Sequence, residues 1–282
     1  MKKQHAGLFA ILMVSGSLFF SCGNPSQKGN SPTFDSIKVD KSAHLFGDTA
    51  NPGCNIHINL AYVSKMDKQT VQDSLNAFLL SVALGDTCRN DAPQVAVNKY
   101  VDKYISDYLK NNEPLYNKDK AEHSDDEDTV GEWYDFYKSI ESRPLSINNR
   151  MLVYQVDYSE FTGGAHGIYM STFLNIDLAD LHPIRLSDLF TEDYSAALTD
   201  LLWTQLLIDN KLKSRKEAED MGYASTGDLA PTENFFLGEK GITFYYNIYE
   251  ITPYVLGPVQ ITLSYDAVKS LLREEAVTNY DL

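Results

Sequence analysis

His166 stands in the run Thr162-Gly163-Gly164-Ala165-His166-Gly167. An imidazole placed this way can serve as a general base or a ligand contact, because it titrates near neutrality. Gly163 and Gly164 carry no Cβ, so a partner's backbone can approach them closely. The same glycines equally suit a bulge or sharp turn between strands, with His166 bonded to a nearby carbonyl. A second run is Tyr249-Glu250-Ile251-Thr252-Pro253-Tyr254. Glu250 is either catalytic or satisfies backbone and tyrosine groups at the Pro253 turn. Tyr249 and Tyr254 offer aromatic anchors for binding. No serine or cysteine nucleophile shares a recognisable motif with His166, so no catalytic residue is assigned.

The three cysteines divide by position. Cys22 ends the segment Phe19-Phe20-Ser21-Cys22-Gly23, behind the basic pair Lys2-Lys3 and a short apolar stretch from Leu8 to Phe20. That stretch is too short for a comfortable membrane span and reads as a processing signal. The small Ser21 before a thiol resembles a bacterial lipobox, in which the cysteine is lipidated and becomes the first mature residue. More than one acyl chain would then give stable attachment. Cys54 and Cys88 remain. In an oxidising compartment an even pair implies a disulfide, and a loop of this length would stabilise by about 3.5–4 kcal/mol. Two unpaired buried thiols are the alternative. No CxxC or HxxxH spacing points to a metal, and no cofactor is expected.

Net charge is −15, and losing Lys2 and Lys3 with the leader takes it to −17. Such acidity argues against nucleic acid or an anionic membrane surface as a direct partner and favours a basic one, unless it only keeps an exported protein soluble. The acidic run Ser124-Asp125-Asp126-Glu127-Asp128 lacks the ligand alternation, glycine and distal glutamate of a calcium loop, and reads as a solvated loop.

These residues need elements to position them. Residues 1–21 are read as signal peptide and 22–40 as a flexible tether rich in Ser, Pro, Gly and Asn. Cys54 to Val63 alternates as a strand. Lys68 to Leu84 carries a helical stripe of Val71, Leu75, Phe78, Leu79 and Val82, with Asp67 as N-cap and Gly85 as stop. Pro93 to Lys110 follows as a helix with Val97, Tyr100, Val101, Tyr104, Ile105 and Tyr108, and residues 111–130 as loop. Strands are expected over Glu132–Ile140 with Pro144–Ile147, Arg150–Phe161 after an Asn148-Asn149 turn, and Ile168–Leu178. A helix over Thr191–Ser214, a hairpin around Gly238–Gly241, a strand over Val259–Tyr265 and a helix capped by Asp266 complete the chain. The pattern predicts an α+β fold of two small units, residues 41–158 and 159–282, with largely antiparallel sheets packed against helices.

Thr162 to Gly167, then Asn175-Ile176-Asp177, then Leu186-Ser187-Asp188-Leu189-Phe190, resembles the domain-of-unknown-function family numbered 3298. Phe244-Tyr245-Tyr246 and Tyr249 to Tyr254, with Gly257, are similar to that family's closing signature. Cys54 to about Tyr158 resembles its N-terminal companion, numbered 4163. The resemblance implies a binding module of the kind found in lysozyme-sensing anti-sigma factors and ahead of the catalytic domain in some peptidoglycan deacetylases. This chain lacks the metal-binding Asp and His motifs of that deacetylase. Two functions follow as expectations. One is a lipid-anchored cell-envelope protein that binds a cell-wall component or a basic protein such as lysozyme through Gly163, Gly164, His166, Tyr249, Glu250 and Tyr254. The other is a cell-wall or peptide hydrolase with its site near His166 and Glu250.

Overall fold

A computed structural model describes residues 31–122, 131–148 and 150–282. Cys22, the first half of the expected tether (residues 22–30) and the acidic run at 124–128 lie outside the described residues, as does Asn149 of the expected turn.

Six strands form the first sheet in chain order, β1 (Thr33–His44), β2 (Gly53–Lys65), β3 (Phe136–Ile147), β4 (Met151–Thr162), β5 (Ile168–Asp177) and the short β6 (His182–Pro183). All neighbours are antiparallel except β2 and β3. That parallel step needs a crossover, supplied by α1 (Gln69–Leu84) and α2 (Pro93–Glu122). Both helices cover one face. Ile56, Ile58 and Leu60 of β2 point into the same core as Leu75 and Leu79 of α1 and Val97 and Val101 of α2. Truncating Leu79, which is fully buried, to alanine would cost about 2–5 kcal/mol.

Three expectations change here. The tether ends early: Thr33 to Asp40 already belongs to β1, because Ile37 gains a place in the core and the strand shields the edge of β2. The second helix runs on to Glu122, because Tyr108, Asn112 and Tyr116 continue its buried stripe at four-residue spacing. Cys54 and Cys88 are both buried and unbridged. Cys54 opens β2 and packs with Leu45, Tyr108 and Tyr134, whereas Cys88 sits in the main helix-covered core. From the far end of β2, the helix α1 returns only about 24 Å at 1.5 Å per residue, while the strand spans about 43 Å. Cys88 therefore stops short of Cys54.

The second sheet contains β7 (Phe235–Gly238), β8 (Gly241–Tyr246) and β9 (Val259–Ser264), all antiparallel. Helix α3 (Tyr194–Asp209) covers it through Leu198, Leu202 and Leu206. It is shorter than expected, since Ser214 caps a separate helix α4 (Arg215–Asp220) with its side chain on the Glu217 N–H, 3.2 Å away. Ile208 on its outer side is exposed. The chain closes with α5 (Glu274–Tyr280). Asp67 and Asp266 cap nothing: Lys68 occupies the N-cap of α1, and Ser264 caps the turn at Tyr265–Val268.

The expected division at residue 158 cuts through β4. β5, assigned by its sequence to the second unit, is a strand of the first sheet. The two sheets also share a core: Met151 and Val153 of β4 pack with Phe235 and Phe244, and Phe173 of β5 lies 4.7 Å from the Phe236 ring and 5.2 Å from the Tyr245 ring.

Candidate functional site

Ahead of its short pairing with β6, the outer edge of β5 is stitched to the second sheet by asparagine side chains. Asn247 Oδ1 accepts from the Ser171 N–H at 2.7 Å, and its Nδ2 donates to the Ser171 carbonyl at 3.2 Å. Asn234 Oδ1 accepts from the Phe173 N–H at 2.9 Å. Asn175 bridges to the Phe235 carbonyl and the Leu237 N–H at 2.8 and 3.0 Å. A carboxamide carries an acceptor and two donors, so it can replace the ladder bonds of a missing neighbouring strand. Asn76 does the same beyond the point where β2 and β3 part, bonding Val63 N–H and carbonyl at 2.8 and 3.0 Å. Sequence reasoning missed these roles; Asn175 in an apolar run was the one available signal.

Asn247 thereby holds the segment 249–257 against the start of β5. Tyr249 takes a left-handed conformation, φ 67, as does Gly257 at φ 72. The turn closes through Tyr249 N–H to Thr252 carbonyl at 3.0 Å and Thr252 Oγ1 to Gly257 carbonyl at 2.8 Å. This brings two distant runs together. The His166 ring stacks on Tyr254 with centroids 4.0 Å apart and planes 14° from parallel. Tyr249 Oη lies 3.5 Å from His166 Nε2, a contact at the long limit of hydrogen bonding. Tyr169 meets Tyr254 edge-on at 5.9 Å, and partial burial followed by the neighbouring Tyr254 and Tyr245 pushes its phenol pKa up, which keeps it a neutral donor. Tyr249, Ile168 and Val255 are exposed around the cluster.

Glu250 is exposed and bonds Asn247. Its Oε2 accepts from the Asn247 N–H at 3.0 Å and Oε1 lies 3.4 Å from Asn247 Nδ2, so it orders the turn. Gly163 packs on the Trp133 carbonyl: an added Cβ would lie 2.5 Å from that oxygen, at φ +84. Gly164, φ +96, has open space at the same point. Of the residues singled out by sequence, His166, Tyr249 and Tyr254 converge, Gly163 and Gly164 shape the approach, and Glu250 supports. Trp133 and Phe161, which sequence reasoning gave no role, border Gly164 across a hollow of about 400 Å³.

A second polar centre lies at the far end of β5. Asp177 is fully buried and accepts from Arg150 Nε at 2.9 Å, Tyr280 Oη at 3.0 Å and the Ala179 N–H at 2.8 Å. Burial alone would raise its pKa; the bonds from Ala179 and Tyr280 and the Arg150 guanidinium outweigh that and hold it below the usual carboxylate range. Asp177, Asp180 and His182 each place one ligand atom within 4.8 Å of the others. The Arg150 guanidinium already neutralises Asp177 at that place, 2.8 Å from Oδ2.

Residues 187–266 match the family described as "Protein of unknown function (DUF3298)", and residues 49–169 match the one described as "Deacetylase PdaC". A DUF3298 family member from Bacteroides fragilis is 46% identical, with 89% of this chain and 98% of that chain covered and a TM-score of 0.84. A DUF3298 family protein from Pseudomonas aeruginosa, 14% identical over 86% of this chain and 96% of its own, has the same fold at a TM-score of 0.56. A search of curated proteins matches none of them. With near-complete coverage at that identity to the Bacteroides protein, the chain belongs to the DUF3298 family.

Proposed function

We propose that this is a cell-wall-related binding protein, held to a bacterial membrane by lipid on Cys22, whose contact surface is the His166–Tyr254 stack with Tyr249 and Tyr169. The stack carries the reading. Two rings from segments about ninety residues apart meet face to face on the outside of the molecule, where burial of apolar area does not require them to. Exposed aromatic faces with a few hydrogen-bonding groups are the usual anchors of a binding surface. The turning of Glu250 onto Asn247 favours binding over hydrolysis at this surface. The match of residues 49–169 to a deacetylase's family supports a ligand of the cell wall. Net charge of −15 supports a basic protein such as lysozyme as the other candidate partner.

The test is sedimentation of the chain lacking residues 1–22 with purified peptidoglycan, and surface plasmon resonance against hen-type lysozyme. Saturable binding to either is expected. Absence of binding to both at low salt overturns the reading. For the anchor, Cys22→Ala is expected to release the protein from the membrane fraction or stall its processing; full membrane retention of processed protein would refute it.

A further inference from the structure

Behind Gly164 lies a hollow of about 400 Å³ lined by Glu132, Trp133, Asp135, Phe161 and Gly164. We propose that this hollow is a subsite for a primary ammonium group, an inference that rests on the binding function above and adds what the ligand must carry. Three features of the site point to a cation. Two of the five lining residues are carboxylates and none is a cation. Two are aromatic, and an ammonium is drawn to the negative face of an indole or phenyl ring. The Trp133 side chain is 65% exposed, while the other tryptophan, Trp203, is 7% exposed and already has Arg215 over its ring at 5.3 Å. Among the described residues, no Lys or Arg lies over the Trp133 ring.

Part of the wall is held in place. Tyr134, next to Trp133, is buried; its hydroxyl donates to Asp119 at 2.6 Å and its carbonyl accepts from Tyr108 at 2.8 Å. Asp135 Oδ1 accepts from the Gly53 N–H at 2.9 Å, which orients that carboxylate. On the other side, Gly163 seats its backbone against the Trp133 carbonyl and Gly164 leaves the entrance bare. A side chain at Gly163 would push the two walls apart. The Asp135 and Gly163 walls therefore need little reorganisation when a cation enters, which favours binding. The ammonium can come from a lysine-type side chain or from an unacetylated amino sugar.

The chain contains two tryptophans, so its ¹⁵N spectrum holds two indole cross-peaks, assignable with Trp133→Phe. Titration of the wild type with Nα-acetyl-lysine methylamide and, separately, with glucosamine is expected to move the Trp133 peak saturably and leave Trp203 in place. The tighter of the two amines identifies the source. Acetylating either amine should abolish the response, and Glu132→Gln, an exposed position, should weaken it about fivefold, the weight of one charge at close range in water. No saturable shift with either amine up to ~0.1 M, or equal shifts with the acetylated analogues, overturns the subsite. If peptidoglycan or lysozyme binding persists in that case, the subsite alone falls; if the wild type binds neither, the binding function itself falls.

Discussion

His166 and Tyr254 lie face to face, 4.0 Å between ring centroids, although one belongs to the glycine-rich link between β4 and β5 and the other to the turn after β8. Their meeting depends on Asn247, which ties that turn to Ser171 two residues beyond Tyr169. Tyr254→Ala removes the platform beneath the imidazole and one edge contact to Tyr169. Since Tyr254 is only half-buried, unfolding free energy should fall by no more than about 1.5 kcal/mol, the scale of a ring pair. Dissociation from the partner should speed about tenfold or more, as for a central anchor. Surface plasmon resonance beside urea unfolding separates the two effects.

The two glycines should differ. Gly163→Ala meets the Trp133 carbonyl and a positive φ together, whereas Gly164→Ala meets only the positive φ. Gly164→Ala should cost about 1–2 kcal/mol and Gly163→Ala clearly more. Guanidinium denaturation of both variants checks the order.

Removing an asparagine stitch strands buried or half-buried backbone groups. Asn175→Ala leaves the Phe235 carbonyl and Leu237 N–H without their partner, and Asn247→Ala does so for the Ser171 N–H, while the Ser171 carbonyl keeps Asn234 Nδ2 at 2.9 Å. Each should destabilise by about 1–3 kcal/mol. Asn247→Ala should also loosen the His166–Tyr254 contact, read as faster amide exchange across residues 247–257.

Asp177 predicts an acid limb. Its folded-state pKa is lowered, so its stabilisation is complete above the unfolded carboxylate value near 4 and is lost as pH falls through the lower folded value. Asp177→Asn should flatten that part of the stability curve. Arg150→Ala leaves a buried carboxylate without its cation and should cost about 3–5 kcal/mol at neutral pH. Urea midpoints measured across acidic and neutral pH test both.

Cys54 and Cys88 should behave as buried thiols. Burial pushes the Cys54 thiol pKa up, which slows alkylation further. In protein lacking residues 1–22, iodoacetamide should label neither cysteine before unfolding and both after it. A Cys54–Cys88 bond found by mass mapping would contradict the separation seen here.

Local pattern alone determined most of the elements. Alternation marked β2 and β4, the glycine-rich break marked the start of β5, helical stripes marked α1 and the first part of α2, and the run of strands with short turns pointed to an α+β fold with largely antiparallel sheets. The same pattern singled out His166, Tyr249 and Tyr254, because glycines, proline and exposed aromatics concentrate there. What it could not supply was partnership between distant segments. Thr33 to Asp40 has little apolar signal of its own and becomes a strand only because β2 offers an edge. β5 joins the first sheet, not the second, because its ladder partner is β4 and its other edge is met by asparagines. The cysteines, an even pair that suggested a bridge, are kept apart by the unequal rise of a helix and a strand. Glu250 bonds Asn247, and the Trp133 carbonyl packs on Gly163, for the same reason: contacts across the fold depend on packing geometry, which period and composition do not encode.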